Sequence, residues 1–113
     1  MAEQLTIDDS LSTPAVRVLK LSGALVLTTV FQFQHMVRES TAESMIIDMA
    51  GVSYCDSAGI GALVNAQVSH TRTQRKLSLK GVTSRVMEVL KITRVNEIFT
   101  FLPADAATSA SSS

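Results

Sequence analysis

The side chains best suited to chemistry in this sequence stand together at Cys55-Asp56-Ser57, a thiol, a carboxylate and a hydroxyl in consecutive positions, with glycines following at 59 and 61. A hydroxyl in such a place can accept a phosphate, or it can attack a substrate if a histidine takes its proton. The second use lacks support. No Gly-x-Ser-x-Gly elbow surrounds Ser57, and neither His35 nor His70 stands at a spacing that would make it a base. A thiolate at Cys55 is disfavoured by the neighbouring Asp56, so this lone cysteine is expected to be a small buried residue with no internal disulfide partner. No catalytic residue is expected.

The elements that must position this cluster are a strand before it and a helix after it. Met45, Ile46, Ile47 and Met49 form a short apolar run that reads as a buried strand ending at a Gly51 turn. Asp56 and Ser57 precede a periodic segment from about Ala58 to Gln74, and short oxygen-bearing side chains favour a helix entrance because they accept hydrogen bonds from free backbone amides. In that helix Ile60, Leu63, Val64, Gln67, Val68 and Thr71 are expected to face inward, with Asn65, Ser69 and Arg72 outward. Gly59 and Gly61 each cost helix stability, about 1 kcal/mol relative to alanine. Either they let the helix start pack tightly on a strand, or they leave a bare surface on which a partner can approach the Ser57 hydroxyl.

The remaining segments supply a domain around this unit. Gln4 to Ile7 reads as a strand, followed by turn chemistry through Pro14, and Ala15 to Leu21 as a second strand closed by Ser22-Gly23, which Ala24 to Leu27 could extend. A helix is expected from Thr28 or Thr29 to Ser40, with Val30, Phe33 and Met36 or Val37 inward. His35 on that helix has no second ligand at helical spacing and reads as a surface residue, not a metal ligand. Arg72, Arg75 and Lys76 meet the negative pole of the motif helix, which is a sufficient structural account, with a phosphate-binding role as the alternative. Leu77 to Gly81 reads as a strand, Thr83 or Ser84 caps a helix with Val86, Val89 and Leu90 inward, and Glu97 to Phe101 alternates as a last strand. Pro103 and the Ala/Thr/Ser run beyond it imply a disordered tail over 103–113, leaving one domain over 1–102. Strands alternating with helices predict an α/β fold, a mostly parallel sheet with an antiparallel N-terminal strand and about three helices packed on it.

Composition narrows the function. With 46% apolar residues, 18% charged ones, and ten basic side chains balanced by ten acidic, the 113-residue chain offers no polyanion-binding surface, so no nucleic acid is expected. No apolar window approaches the roughly 20 residues of a membrane helix, and no signal segment is evident, so a cytoplasmic protein with no membrane partner is expected. Nothing calls for a metal or cofactor.

The segment Val52-Ser53-Tyr54-Cys55-Asp56-Ser57-Ala58-Gly59-Ile60-Gly61 resembles the anti-sigma-factor antagonists built on the STAS domain, in which Asp-Ser-(Ser/Thr)-Gly-(Leu/Ile)-Gly opens a helix after a strand. The likeness extends over most of residues 4–102. It implies a STAS-like single domain, phosphorylation at Ser57, and a partner surface formed by Asp56, Ser57, Ala58, Gly59, Ile60 and Gly61. It further implies that the unphosphorylated form binds an anti-sigma factor serine kinase and so frees a sigma factor, with a phosphatase to reverse the modification. Two departures stand out: Ala58 replaces a hydroxyl residue, and Gly23-Ala24-Leu25-Val26 lacks the two acids of the related Gly-Glu-(Leu/Ile)-Asp segment. The second suggests a more apolar surface there, and with it a constitutive scaffold or transporter-associated subunit as the alternative function.

Overall fold

The computed structural model describes residues 4–106. In chain order its elements are β1 (Leu5–Asp8), β2 (Val16–Leu25), α1 (Val30–Glu39), β3 (Ser44–Cys55), α2 (Ser57–Arg72), β4 (Lys76–Lys80), α3 (Ser84–Ile92), a single 3-10 turn (Asn96–Ile98) and β5 (Thr100–Leu102). The strands form one sheet in the order β1-β2-β3-β4-β5, with β1 antiparallel to β2 and every other neighbouring pair parallel. This is the expected mixed sheet with three helices.

Side-chain alternation decides which face is covered. Leu19 and Leu21 of β2, Met45, Ile47 and Met49 of β3, and Leu77 and Leu79 of β4 point to one side. There they meet Val30, Phe33 and Val37 of α1, Ile60, Ala62, Leu63 and Ala66 of α2, and Val86 and Leu90 of α3 in a single core. The opposite face carries a small cluster of Val16, Val18 and Ile46. Beside it the register sets Asp8 against Lys20, Lys20 against Asp48, and Asp48 against Lys80, a row of alternating charge across four strands.

Several boundaries differ from the sequence expectation. Gly51 does not end its strand: β3 continues to Cys55, and Gly51 lies where the register with β2 shifts between Lys20 and Ser22. A Cβ at Gly51 would stand 2.9 Å from the Leu21 carbonyl oxygen, so the glycine admits a close strand approach instead of a turn. Likewise β2 runs past Gly23 to Leu25; Gly23 has φ +113°, and a Cβ there would collide with the Gln4 carbonyl oxygen. The α2 stripe is rotated from that expected. Gly59, Ile60, Ala62, Leu63, Ala66 and His70 are buried, whereas Val68 and Thr71 are exposed, because small residues let the helix lie close on the sheet. Asn96–Ile98 winds into a 3-10 turn before β5, so the last strand is shorter and later than the alternation implied. Of the expected tail, 103–106 form a turn in which the Ala106 amide donates to the Pro103 carbonyl at 2.9 Å. Residues 1–3 of the expected domain and 107–113 of the expected tail lie outside the described residues.

Candidate functional site

The site forms where β2 and β3 end side by side, with Ala24 paired to Tyr54 and Leu25 to Cys55. β2 then turns into α1 and β3 into α2. The β2–α1 turn is held by Thr29, whose hydroxyl donates to the Ala24 carbonyl at 2.8 Å and accepts from the Val26 amide at 2.9 Å. Thr29 precedes α1, as expected, but its hydroxyl bonds the turn and caps no helical amide.

Asp56 is the N-cap of α2. Its backbone is extended (φ −95°, ψ −173°), its Oδ1 accepts from the Gly59 amide at 2.9 Å, and its Oδ2 accepts from the Leu27 amide at 3.1 Å. One carboxylate thus satisfies a free donor of the helix and ties it to the turn after β2. Ser57 is therefore the first residue inside the helix and not its cap. Its side chain is exposed, and its hydroxyl makes no hydrogen bond among the described residues. No acidic residue occupies the first turn of α2, so the positive pole of this 16-residue helix faces an uncharged surface apart from Asp56.

The two glycines part company. A Cβ at Gly59 would collide with the Leu25 carbonyl oxygen, so this glycine serves the contact between helix start and strand end. A Cβ at Gly61 would meet nothing within 4 Å. Gly59 and Ile60 are buried; Asp56, Ala58 and Gly61 are half-buried; Ser57 alone of the six is exposed. The reachable surface of the motif is Ser57 with the half-buried Asp56, Ala58 and Gly61.

Ala24, Leu25 and Val26 lie in the core, at 4%, 0% and 7% exposure, so the missing acids do not make that segment an apolar surface. The exposed apolar side chains come just after it. Leu27 is 61% exposed and Phe31 65% exposed, with the Leu27 amide bound to Asp56. On β3, Tyr54 is also exposed, and the Arg85 guanidinium stands 5.6 Å from its ring centroid. Leu27 is the one residue of the apolar Ala24 to Leu27 segment that reaches the surface, whereas the exposure of Phe31 is not readable from the sequence because its neighbour Val30 is apolar and buried.

The arrangement is poorly suited to nucleophilic catalysis. Both Asp56 oxygens are engaged by backbone amides. His35 Nε2 lies 3.2 Å from Glu39 Oε1. His70 is thirteen residues beyond Ser57 on the same helix, about 20 Å at 1.5 Å per residue. It is fully buried, its Nδ1 2.9 Å from the Ala66 carbonyl and its Nε2 without a partner, and burial pulls its pKa below the usual 6.5. Its buried position could have been read from Ala62, Ala66 and His70 recurring at intervals of four. The Cys55 thiol is 1% exposed and pushed up to about 12, first by burial and then by Asp56, which leaves it protonated and inert at neutral pH. Among the described residues no three His, Cys, Asp or Glu side chains come together to hold a metal ion.

A family model of the STAS domain matches residues 9–107. The chain belongs to the STAS domain family. Its fold is shared with SpoIIAA, the Bacillus cell fate determinant and anti-sigma factor antagonist, in its unphosphorylated form, at TM-score 0.68 and 18% identity over 88% of this chain and 87% of that one. An anti-sigma factor antagonist from Mycobacterium paratuberculosis superposes at TM-score 0.72 and 13% identity, covering 89% of this chain and 86% of its own. The anion transporter SLC26A9 contains a similar STAS domain, at TM-score 0.68 and 18% identity over 80% of this chain but only 18% of the transporter. No helix among the described residues is long and apolar enough to cross a membrane.

Proposed function

We propose that this STAS domain is a cytoplasmic anti-sigma factor antagonist that binds an anti-sigma factor serine kinase while Ser57 is unmodified and releases it once Ser57 is phosphorylated. The observation that carries this reading is the exposed, unbonded Ser57 hydroxyl in the first turn of a helix whose entrance is already locked by Asp56. A phosphate there would sit at the positive pole of α2 and need not disturb the fold. It would bring about −1.5 to −2 charge and three acceptor oxygens into a surface of small neutral groups, so an apposed carboxylate would be repelled and neighbouring contacts desolvated at a loss. ATP would serve the kinase, and a phosphatase would restore the binding form. Leu27 and Phe31 extend the same surface with apolar area, where a partner can bury side chains that make binding worthwhile.

A constitutive scaffold, or a subunit associated with a transporter, is the second reading, and the exposed Leu27 and Phe31 favour it because a permanent interface is the more apolar kind. Incubation with the matched kinase and ATP, followed by pull-down with wild type, Ser57→Ala and Ser57→Asp, separates the two. The switch requires phosphate on Ser57 and loss of the kinase from Ser57→Asp. Equal recovery of the same partner by all three forms establishes the scaffold.

A further inference from the structure

Between them, α1 and α2 leave a groove of about 330 Å³ that the proposed switch does not use. Its floor is apolar: Phe33 and Val37 from α1, Ala62 and Ala66 from α2. The space exists because α2 presents alanines where the two helices face each other, and a larger side chain at either position would fill it. Gln34, Asn65 and Ser69 stand along the rim. Arg38 and Arg75 complete the lining.

The two arginines differ in how they are held. Arg75 Nη1 donates to the Ser40 carbonyl at 2.9 Å and its Nε to the Thr73 hydroxyl at 2.8 Å, which fixes the plane of the group and leaves Nη2 with no partner among the described residues. Bonding the end of α1 accounts for part of Arg75, and Arg38 stands in the last turn of α1, where its charge meets the negative pole of that helix. Arg38 is exposed and makes no hydrogen bond among the described residues. Neither arginine has an acidic partner among those residues, whereas Arg17 pairs with Asp9 at 2.9 Å. A cleft with an apolar floor, neutral hydrogen-bonding groups and two unpaired cations at its edge has the composition of a small-ligand site, and its volume falls at the lower end of the roughly 300–1,000 Å³ such sites occupy.

We propose that this groove binds a small organic anion, a carboxylate or phosphate ester whose apolar body lies on Phe33, Val37, Ala62 and Ala66 and whose charge lies between Arg38 and Arg75. A volume of about 330 Å³ suits a small molecule rather than a peptide long enough to carry several acidic side chains. The inference stands whether or not Ser57 is a phosphorylation site, since Ser69 on the rim lies about 18 Å along α2 from Ser57 at 1.5 Å per residue.

The test titrates the full chain with three compounds sharing one ring system, 1-naphthyl phosphate, 1-naphthaleneacetate and the neutral 2-(1-naphthyl)ethanol, followed by amide chemical shifts. Saturable shifts at Gln34, Val37, Asn65 and Ser69 are expected, with at least one anion bound about tenfold more tightly than the alcohol; which anion binds better tells a phosphate site from a carboxylate site. Arg38→Gln should weaken the anions about fivefold to tenfold and leave the alcohol unchanged. Ser69→Phe, which fills the mouth from an exposed position, should abolish binding of all three. The proposal is overturned by equal affinity for the neutral compound, by the absence of saturation up to about 10 mM, or by a short glutamate-rich peptide binding more tightly than either anion.

Discussion

Asp56 Oδ2 accepts the Leu27 amide at 3.1 Å, joining two turns that lie 29 residues apart in the chain. The other oxygen of the same carboxylate caps α2 at Gly59. Replacing Asp56 by alanine removes both bonds and leaves two donors to water, so a loss of about 1–2 kcal/mol in urea unfolding is expected. Asp56→Asn retains one acceptor oxygen and should lose about half as much. An alanine variant as stable as wild type would show that the clamp does not hold the two turns.

The glycines at 59 and 61 should respond in opposite directions to one added methyl group. Gly59→Ala drives a Cβ into the Leu25 carbonyl oxygen and is expected to destabilise the fold by about 1–3 kcal/mol despite alanine's better helix propensity. Gly61→Ala meets open space and is expected to stabilise it by about 0.5–1 kcal/mol. If Gly61 is kept bare for a partner, Gly61→Ala will also weaken the complex, and thermal melts set beside pull-downs read both effects in one variant.

Ser57→Asp should leave the isolated domain folded and be neutral or stabilising by about 0.3–1 kcal/mol, because a carboxylate in the first turn meets the positive pole of α2. Repulsion from Asp56 works against this gain. A melting temperature several degrees below wild type would mean that lost binding by this variant reports unfolding and not a switch.

His70 makes stability depend on pH. Its folded pKa is lowered from 6.5 by burial, against a smaller opposing effect of the Ala66 carbonyl, and the nearby Arg75 charge lowers it further. The unfolded chain therefore takes up a proton below about pH 6.5 that the folded chain refuses, so this contribution is fully present above 6.5 and declines as pH falls toward the lowered folded value. Denaturation midpoints measured from pH 7.5 to 5, roughly spanning that window, should fall more steeply for wild type than for His70→Gln. Parallel curves would place the ring in contact with water in the folded state.

The mixed sheet, the three helices and the place of Ser57 at a helix entrance were legible because each depends on short-range pattern. Val30, Phe33 and Val37 announce their buried face by spacing, and Thr83 caps its helix by accepting from the Val86 amide at 3.2 Å. The failures share a different origin. Gly23 and Gly51 look like punctuation in one strand, and only the neighbouring strand shows that they are points of close approach. The buried face of α2 is hidden in the sequence because hydrophobicity favours Val68 over His70, whereas packing selects the smaller residues one turn at a time and carries the histidine inside with them. At the motif, Asp56 and Ser57 are both good caps by type. Which of them caps was decided by the Leu27 amide, far off in sequence.

Strand order in this sheet follows chain order without a single exchange, from β1 at one edge to β5 at the other. A polypeptide leaving the ribosome can therefore lay each new strand against an edge that already exists, with no early strand waiting for a late one to pair with it. The Ser57 region, built from β2, α1, β3 and the start of α2, is then complete before the last forty residues of the chain have emerged.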